Sequence, residues 1–124
     1  LGDPDWLGVY DDPPQDQFHT DLARRRCYVH PFRWTSLGLT LIEAMLLGMP
    51  VVALATLEVP MAVPFTCGVV DNDVTRLVEA VAGLMKDTDA GREMGDAARA
   101  HALERFGLER FLSEWNDVLE EARQ

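Results

Sequence analysis

The stretch that decides the fold is residues 33–54, RWTSLGLTLIEAMLLGMPVVAL. It reads as a loop, a buried helix, a tight stop and a buried strand. Thr35, Ser36 and Gly38 suit a helix N-terminus, where backbone N–H groups and the positive end of the dipole point outward. Residues 39–47 are apolar almost all round, the pattern of a helix buried on most faces. Only Thr40 and Glu43 interrupt it. Gly48 can take the left-handed conformation that ends a helix, and Pro50 prevents continuation. Residues 50–54, PVVAL, then form the unbroken apolar run of a parallel strand covered on both faces. A carboxylate one turn into such a helix, Glu43, requires a hydrogen-bonding partner.

Upstream, residues 6–10 read as a short first strand broken by Gly8. Asp11 and Asp12 before Pro13-Pro14 predict a helix start, with Asp as cap and Pro in the first turn. That helix runs to about Arg25, with Phe18 and Leu22 facing inward, and Arg24-Arg25-Arg26 suits its C-terminal end. A solvated helix end is the plainer reading of the three arginines, and a phosphate site the other. Residues 27–29, or 27–30, form a second strand closed by Pro31. Downstream, residues 55–66 read as a long connection and residues 68–70 as a very short strand. Asn72 or Asp73 caps a helix with apolar residues at Val74, Leu77, Val78, Val81, Leu84 and Met85. A further helix starts at residues 87–89, with Met94, Ala97, Ala98 and His101 inside, and Gly107 breaks it. The last helix, residues 108–122, is expected to bury Phe111, Leu112, Trp115, Val118 and Leu119.

Alternation of strands and helices, with strands made of consecutive apolar residues, predicts an α/β fold. The expected form is an open parallel sheet of four strands with helices on both faces. Ligands of such sheets bind outside the carboxyl ends of the strands. The loops at residues 30–38 and 55–63 both follow strands and therefore share that edge.

The whole chain of 124 residues, 48% hydrophobic, is large enough for a real core. Its formal charge of -10, from 21 acidic and 11 basic residues, repels phosphate backbones and anionic lipid and argues against nucleic-acid binding through net charge. Cys27 and Cys67 have no metal-ligand spacing and read as reduced cysteines of a cytoplasmic chain. No apolar run approaches the roughly 20 residues of a spanning helix. The first residues, LGDPDWLG, carry no signal-peptide pattern, and the lack of an initial Met suggests a chain that starts inside a larger protein.

Gly38 lets a ligand approach the backbone, and the N–H groups of Gly38, Leu39 and Thr40 would form an anion cradle for a phosphate or diphosphate. Glu43 suits a pair of vicinal hydroxyls, or else serves structurally, bonded to backbone or to an Arg such as Arg33. His19 is expected on an exposed helix face and His101 in packing. His30 is either a base contact or a satisfied loop histidine. The histidines are not spaced as metal ligands, and no metal or cofactor is expected.

The run HPFRWTSLGLTLIEAMLLGMPVVALA, residues 30–55, resembles the C-terminal domain of the family 4 retaining glycosyltransferases, enzymes of the GT-B fold. Pro31, Gly38, Leu39, Glu43, Ala44, Met45, Gly48, Pro50, Val51 and Val52 fall in step with that family's pattern. Gly68-Val69-Val70, Leu77, Ala80 and the segment ERFGLERFLSEW extend the resemblance from about Trp6 to the chain end. It implies that residues 1–124 are part of a nucleotide-sugar-binding C-terminal domain. The donor would be a UDP-, GDP- or ADP-sugar.

By the same resemblance, Glu43 is the second Glu of a Glu-x7-Glu motif and would hold ribose hydroxyls, with Gly38, Leu39 and Thr40 on the diphosphate and sugar. The chain departs from the pattern at three places. Thr35 stands for the first Glu, Phe32 for a usual Ser, and Leu57-Glu58 for a usual Gly-Gly, followed by Met61 for a Glu. The family's diphosphate-neutralising Arg and Lys, and its acceptor domain, would lie upstream of this stretch. A stretch without those parts is expected to be inactive alone and to self-associate through an open edge and apolar face. A non-catalytic α/β interaction or regulatory module, with Glu43 structural, is the alternative.

Overall fold

The computed structural model describes residues 8–34 and 36–123. Three strands, β1 (Tyr28–His30), β2 (Val51–Leu54) and β3 (Gly68–Asp71), form a parallel sheet in the order β1-β2-β3. Tyr28 pairs with Val51 and Val51 with Gly68, so each strand advances in register with its neighbour. The expected open parallel α/β sheet is present. Its expected first strand is not seen: Trp6 and Leu7 lie outside the described residues, and residues 8–10 are irregular.

The helices are α1 (Gln15–Ala23), α2 (Leu39–Leu46), α3 (Val59–Ala62), α4 (Val74–Lys86), α5 (Thr88–Phe106) and α6 (Leu108–Glu121). Side chains alternate across the sheet. Tyr28, Val51, Ala53 and Val70 face a core built with Leu41 and Met45 of α2 and Ala98 and Ala102 of α5. Val29, Val52 and Leu54 face the other way and line a groove with Leu77, Val78 and Val81 of α4. Helices thus flank both faces.

The stop after α2 forms as its residues dictate. Gly48 has φ 76°, its N–H bonds to the Met45 carbonyl, and the Met49 N–H reaches back to Ala44 at 3.0 Å. This pairing satisfies the carbonyls that a helix end leaves over. Asp73 caps α4 through the Thr75 N–H, and Asp87 caps α5 through Asp89 and Ala90.

Three expectations fail locally. Pro14, not Asp11 or Asp12, is the residue before α1, because its φ of -53° already suits a first turn and neither aspartate reaches an N–H there. Residues 55–66 contain the single turn α3, whose Val59 and Ala62 are buried. Helix α6 leaves Phe111, Leu112, Trp115, Val118 and Leu119 half exposed, because among the described elements it packs chiefly along α5.

Candidate functional site

The two loops at the carboxyl edge of the sheet are tied together. The Thr56 hydroxyl, after β2, donates to the Phe32 carbonyl, after β1, at 2.9 Å. Ala55 N–H bonds to the Asp71 carbonyl at the end of β3, so all three strand ends contribute to one rim. Next on that rim is Leu57, a non-glycine residue with φ 48°, 61% exposed. It stands where the resembling family has glycine, and it keeps the left-handed backbone there at a steric cost.

Helix α2 begins on the same edge. Gly38 is its N-cap, with extended φ and ψ, and no side chain among the described residues caps this end. Leu39 is exposed and Thr40 half buried, so the first turn faces outward as the anion cradle requires. Thr35 lies outside the described residues. At the end of β1, His30 is 2% exposed and packs its ring against Gly38: a Cβ at position 38 would stand 3.0 Å from His30 Cε1, tighter than ordinary contact. His30 Nδ1 is 3.1 Å from the Tyr28 hydroxyl, and the Phe32 ring lies 4.8 Å away between centroids.

Glu43 is less buried than the apolar run around it predicts, with its side chain 29% exposed. Helix α2 turns Leu41, Ala44 and Met45 to the core and its Glu43 side to α1, a helix with no fully buried residue. The partner that Glu43 requires is there. His19 Nε2 donates to Oε1 at 3.2 Å and Gln15 Nε2 to the same oxygen at 3.4 Å. Neither Arg33 nor a backbone group among the described residues takes that role, and His19, expected on an exposed face, is half-buried. Gln15 and His19 are four apart and hence share one face of α1, a spacing visible in the sequence although their partner was not.

Electrostatics distinguish neutral from charged groups at the two edges of the sheet. Burial lowers the His30 pKa and raises that of Cys27. Tyr28 is raised first by burial and then by the negative charge of Glu43. Arg24, Arg25, Arg26 and Arg92 line a cleft beside Gly48 and Pro50, at the entry to β2 and so on the opposite edge of the sheet. Among the described residues no group of three His, Cys, Asp or Glu could hold a metal ion. No described helix is long and apolar enough to cross a membrane.

The family model described as "Glycosyl transferases group 1" matches residues 9–101, three quarters of the chain and all of this rim. The chain belongs to that family. Among solved structures, the fold is similar to that of a sucrose-phosphate synthase from Thermosynechococcus elongatus, with TM-score 0.64 and 22% identity over 76% of this chain. The chain spans 25% of that protein's length. No curated protein matches the sequence. Membership of the group 1 glycosyltransferases accounts for the strand–loop–helix unit from His30 to Leu54 and agrees with the open parallel sheet of a GT-B fold.

Proposed function

We propose that this chain is the donor-binding part of a glycosyltransferase that moves a glycosyl group from a UDP-, GDP- or ADP-sugar to an acceptor, with retention of configuration. The observation that carries the reading is the pairing of an uncapped N-terminus on α2 with a carboxylate, Glu43, on the same helix. Among the described residues, both hydrogen bonds that Glu43 accepts go to Oε1. Its second oxygen is left for a hydroxyl, and vicinal diols suit a carboxylate. The backbone of Gly38, Leu39 and Thr40 would meet the diphosphate. The helix dipole there favours the negative charge that grows on the leaving group as the glycosidic bond breaks.

The acceptor site and the cations that neutralise the diphosphate belong, on this reading, to parts of the protein outside these 124 residues. The apolar groove beside α4 and the half-exposed face of α6 support self-association of this stretch when it stands alone. A cytoplasmic setting is part of the same reading, supported by the free thiols of Cys27 and Cys67.

Calorimetric titration of UDP-, GDP- and ADP-sugars into the full-length protein and its Glu43→Gln variant tests the proposal. One donor class should bind the wild type, and Glu43→Gln should weaken it roughly tenfold at an unchanged Tm, since a charge-assisted bond becomes a neutral one. A lower Tm with unchanged affinity would instead assign Glu43 a structural role, as in a non-catalytic module. The anomeric configuration of the transferred sugar, read by NMR, decides retention.

A further inference from the structure

Tyr28 and His30 are two residues apart on β1 and therefore share a face of the sheet. Their side chains meet, the Tyr28 hydroxyl 3.1 Å from His30 Nδ1. Burial disfavours the charged imidazole and the charged phenolate alike, so both groups are neutral at pH 7. With the phenol donating to Nδ1, the contact is satisfied by the tautomer that carries the single ring hydrogen on Nε2. His30 Nε2 is fully buried and has no hydrogen-bond partner among the described residues. A buried donor without an acceptor is costly, and a folded chain retains one where something else supplies the acceptor. The ring lies against Gly38, the N-cap of α2, where the absence of a Cβ makes room for it.

We propose that His30 is a ligand-binding residue whose Nε2–H donates a hydrogen bond to a phosphate oxygen of the diphosphate seated at the N-terminus of α2. The proposal rests on the reading of that helix end as a diphosphate site and adds to it a side-chain donor. Tyr28 is a positioning residue: it sets the tautomer that points a hydrogen, rather than a lone pair, at the anion. Gly38 then has two tasks, admitting the ligand to the backbone and admitting the imidazole beside it. The Phe32 ring lies beside the imidazole, 4.8 Å between centroids and tilted by 58°.

Two amide substitutions separate ligand binding from packing. His30→Asn keeps a polar group at the place of Nδ1, against Tyr28, and removes the donor at Nε2. His30→Gln does the reverse. Calorimetry on the full-length protein would use inorganic pyrophosphate, UDP, GDP and ADP, with Tm recorded for each variant. His30→Asn should weaken pyrophosphate and the preferred nucleoside diphosphate by about tenfold or more, while His30→Gln stays within roughly threefold of wild type. Glu43→Gln should weaken the nucleoside diphosphate and leave pyrophosphate alone, since only the former carries a diol.

Wild-type affinity for pyrophosphate and nucleoside diphosphate in His30→Asn would overturn the role of His30 and leave the helix site standing. The role is equally overturned if His30→Gln loses Tm and His30→Asn does not, with neither changed in affinity, because that marks a histidine kept for Tyr28 alone. A wild-type protein that binds none of the four probes removes the helix site and this proposal together.

Discussion

The hydroxyl of Thr56 is bonded to the carbonyl oxygen of Phe32 at 2.9 Å, across 24 residues of sequence. Through this bond the loop after β1 and the loop after β2 hold each other at the carboxyl edge of the sheet. The Phe32 ring in turn lies tilted beside that of His30, so the tie reaches the ring that lies against Gly38. Thr56→Val keeps the β-branched shape and removes the donor. It should cost about 1 kcal/mol of stability, the usual worth of one such bond. Faster amide exchange, confined to residues 31–38 and 55–58, should accompany it. Uniform exchange across the sheet would show that the loops are held by other means.

Leu57 carries a left-handed backbone, φ 48°, at a position that is 61% exposed. For an L-residue that conformation costs roughly 1–2 kcal/mol, against about 0.5–1 kcal/mol of extra chain entropy lost by a glycine. Leu57→Gly should therefore leave stability unchanged or raise it by up to about 1 kcal/mol. Leu57→Val, whose branch at Cβ tolerates that region less, should lower it by about as much. Denaturant unfolding of the pair checks the order, and a valine variant as stable as wild type would show that the backbone at position 57 is unstrained.

A close approach of backbones joins the layers. A Cβ added at Gly95 of α5 would collide with the carbonyl oxygen of Gly48 and stand 3.4 Å from Pro50 Cδ. Gly95→Ala should thus force α5 away from the end of α2 and cost roughly 1–3 kcal/mol or more, as overpacked cores do. Gly83, inside α4, has nothing within 4 Å of an added Cβ. Gly83→Ala should stabilise by about 0.5–1 kcal/mol through helix propensity alone. Thermal melts of the two variants, shifting in opposite directions, would establish the contact.

The unit from Gly38 to Leu54 is legible in the sequence because each of its signals is local. Gly48 and Pro50 end a helix by their own backbone preferences, and four consecutive apolar residues suit a strand covered on both faces. The signals that failed depend on what comes near from elsewhere. The apolar stripe of α6 states that the face can be buried and not by what, and among the described elements little more than α5 meets it. Glu43 needs a partner, but His19 and Gln15 are 24 and 28 residues away, beyond any spacing rule. Gly95 is an ordinary helical residue until α2 is laid across it. The single turn of α3 is too short for a periodic pattern, and only its burial of Val59 and Ala62 marks it.

The buried, neutral His30 gives stability a defined dependence on pH. Burial holds its pKa in the folded chain below the ordinary value of about 6.5, so the unfolded chain takes up a proton first as pH falls. Its contribution is fully present above about pH 6.5 and is lost as pH drops through that value toward the lower folded pKa. His30→Gln has no group to titrate there. Its Tm relative to wild type should be constant above about pH 7 and should shift in its own favour between about pH 6.5 and 5. A Tm difference independent of pH across that window would mean that position 30 is charged or neutral to the same degree folded and unfolded, and would contradict a buried neutral imidazole with Nε2 held for a ligand.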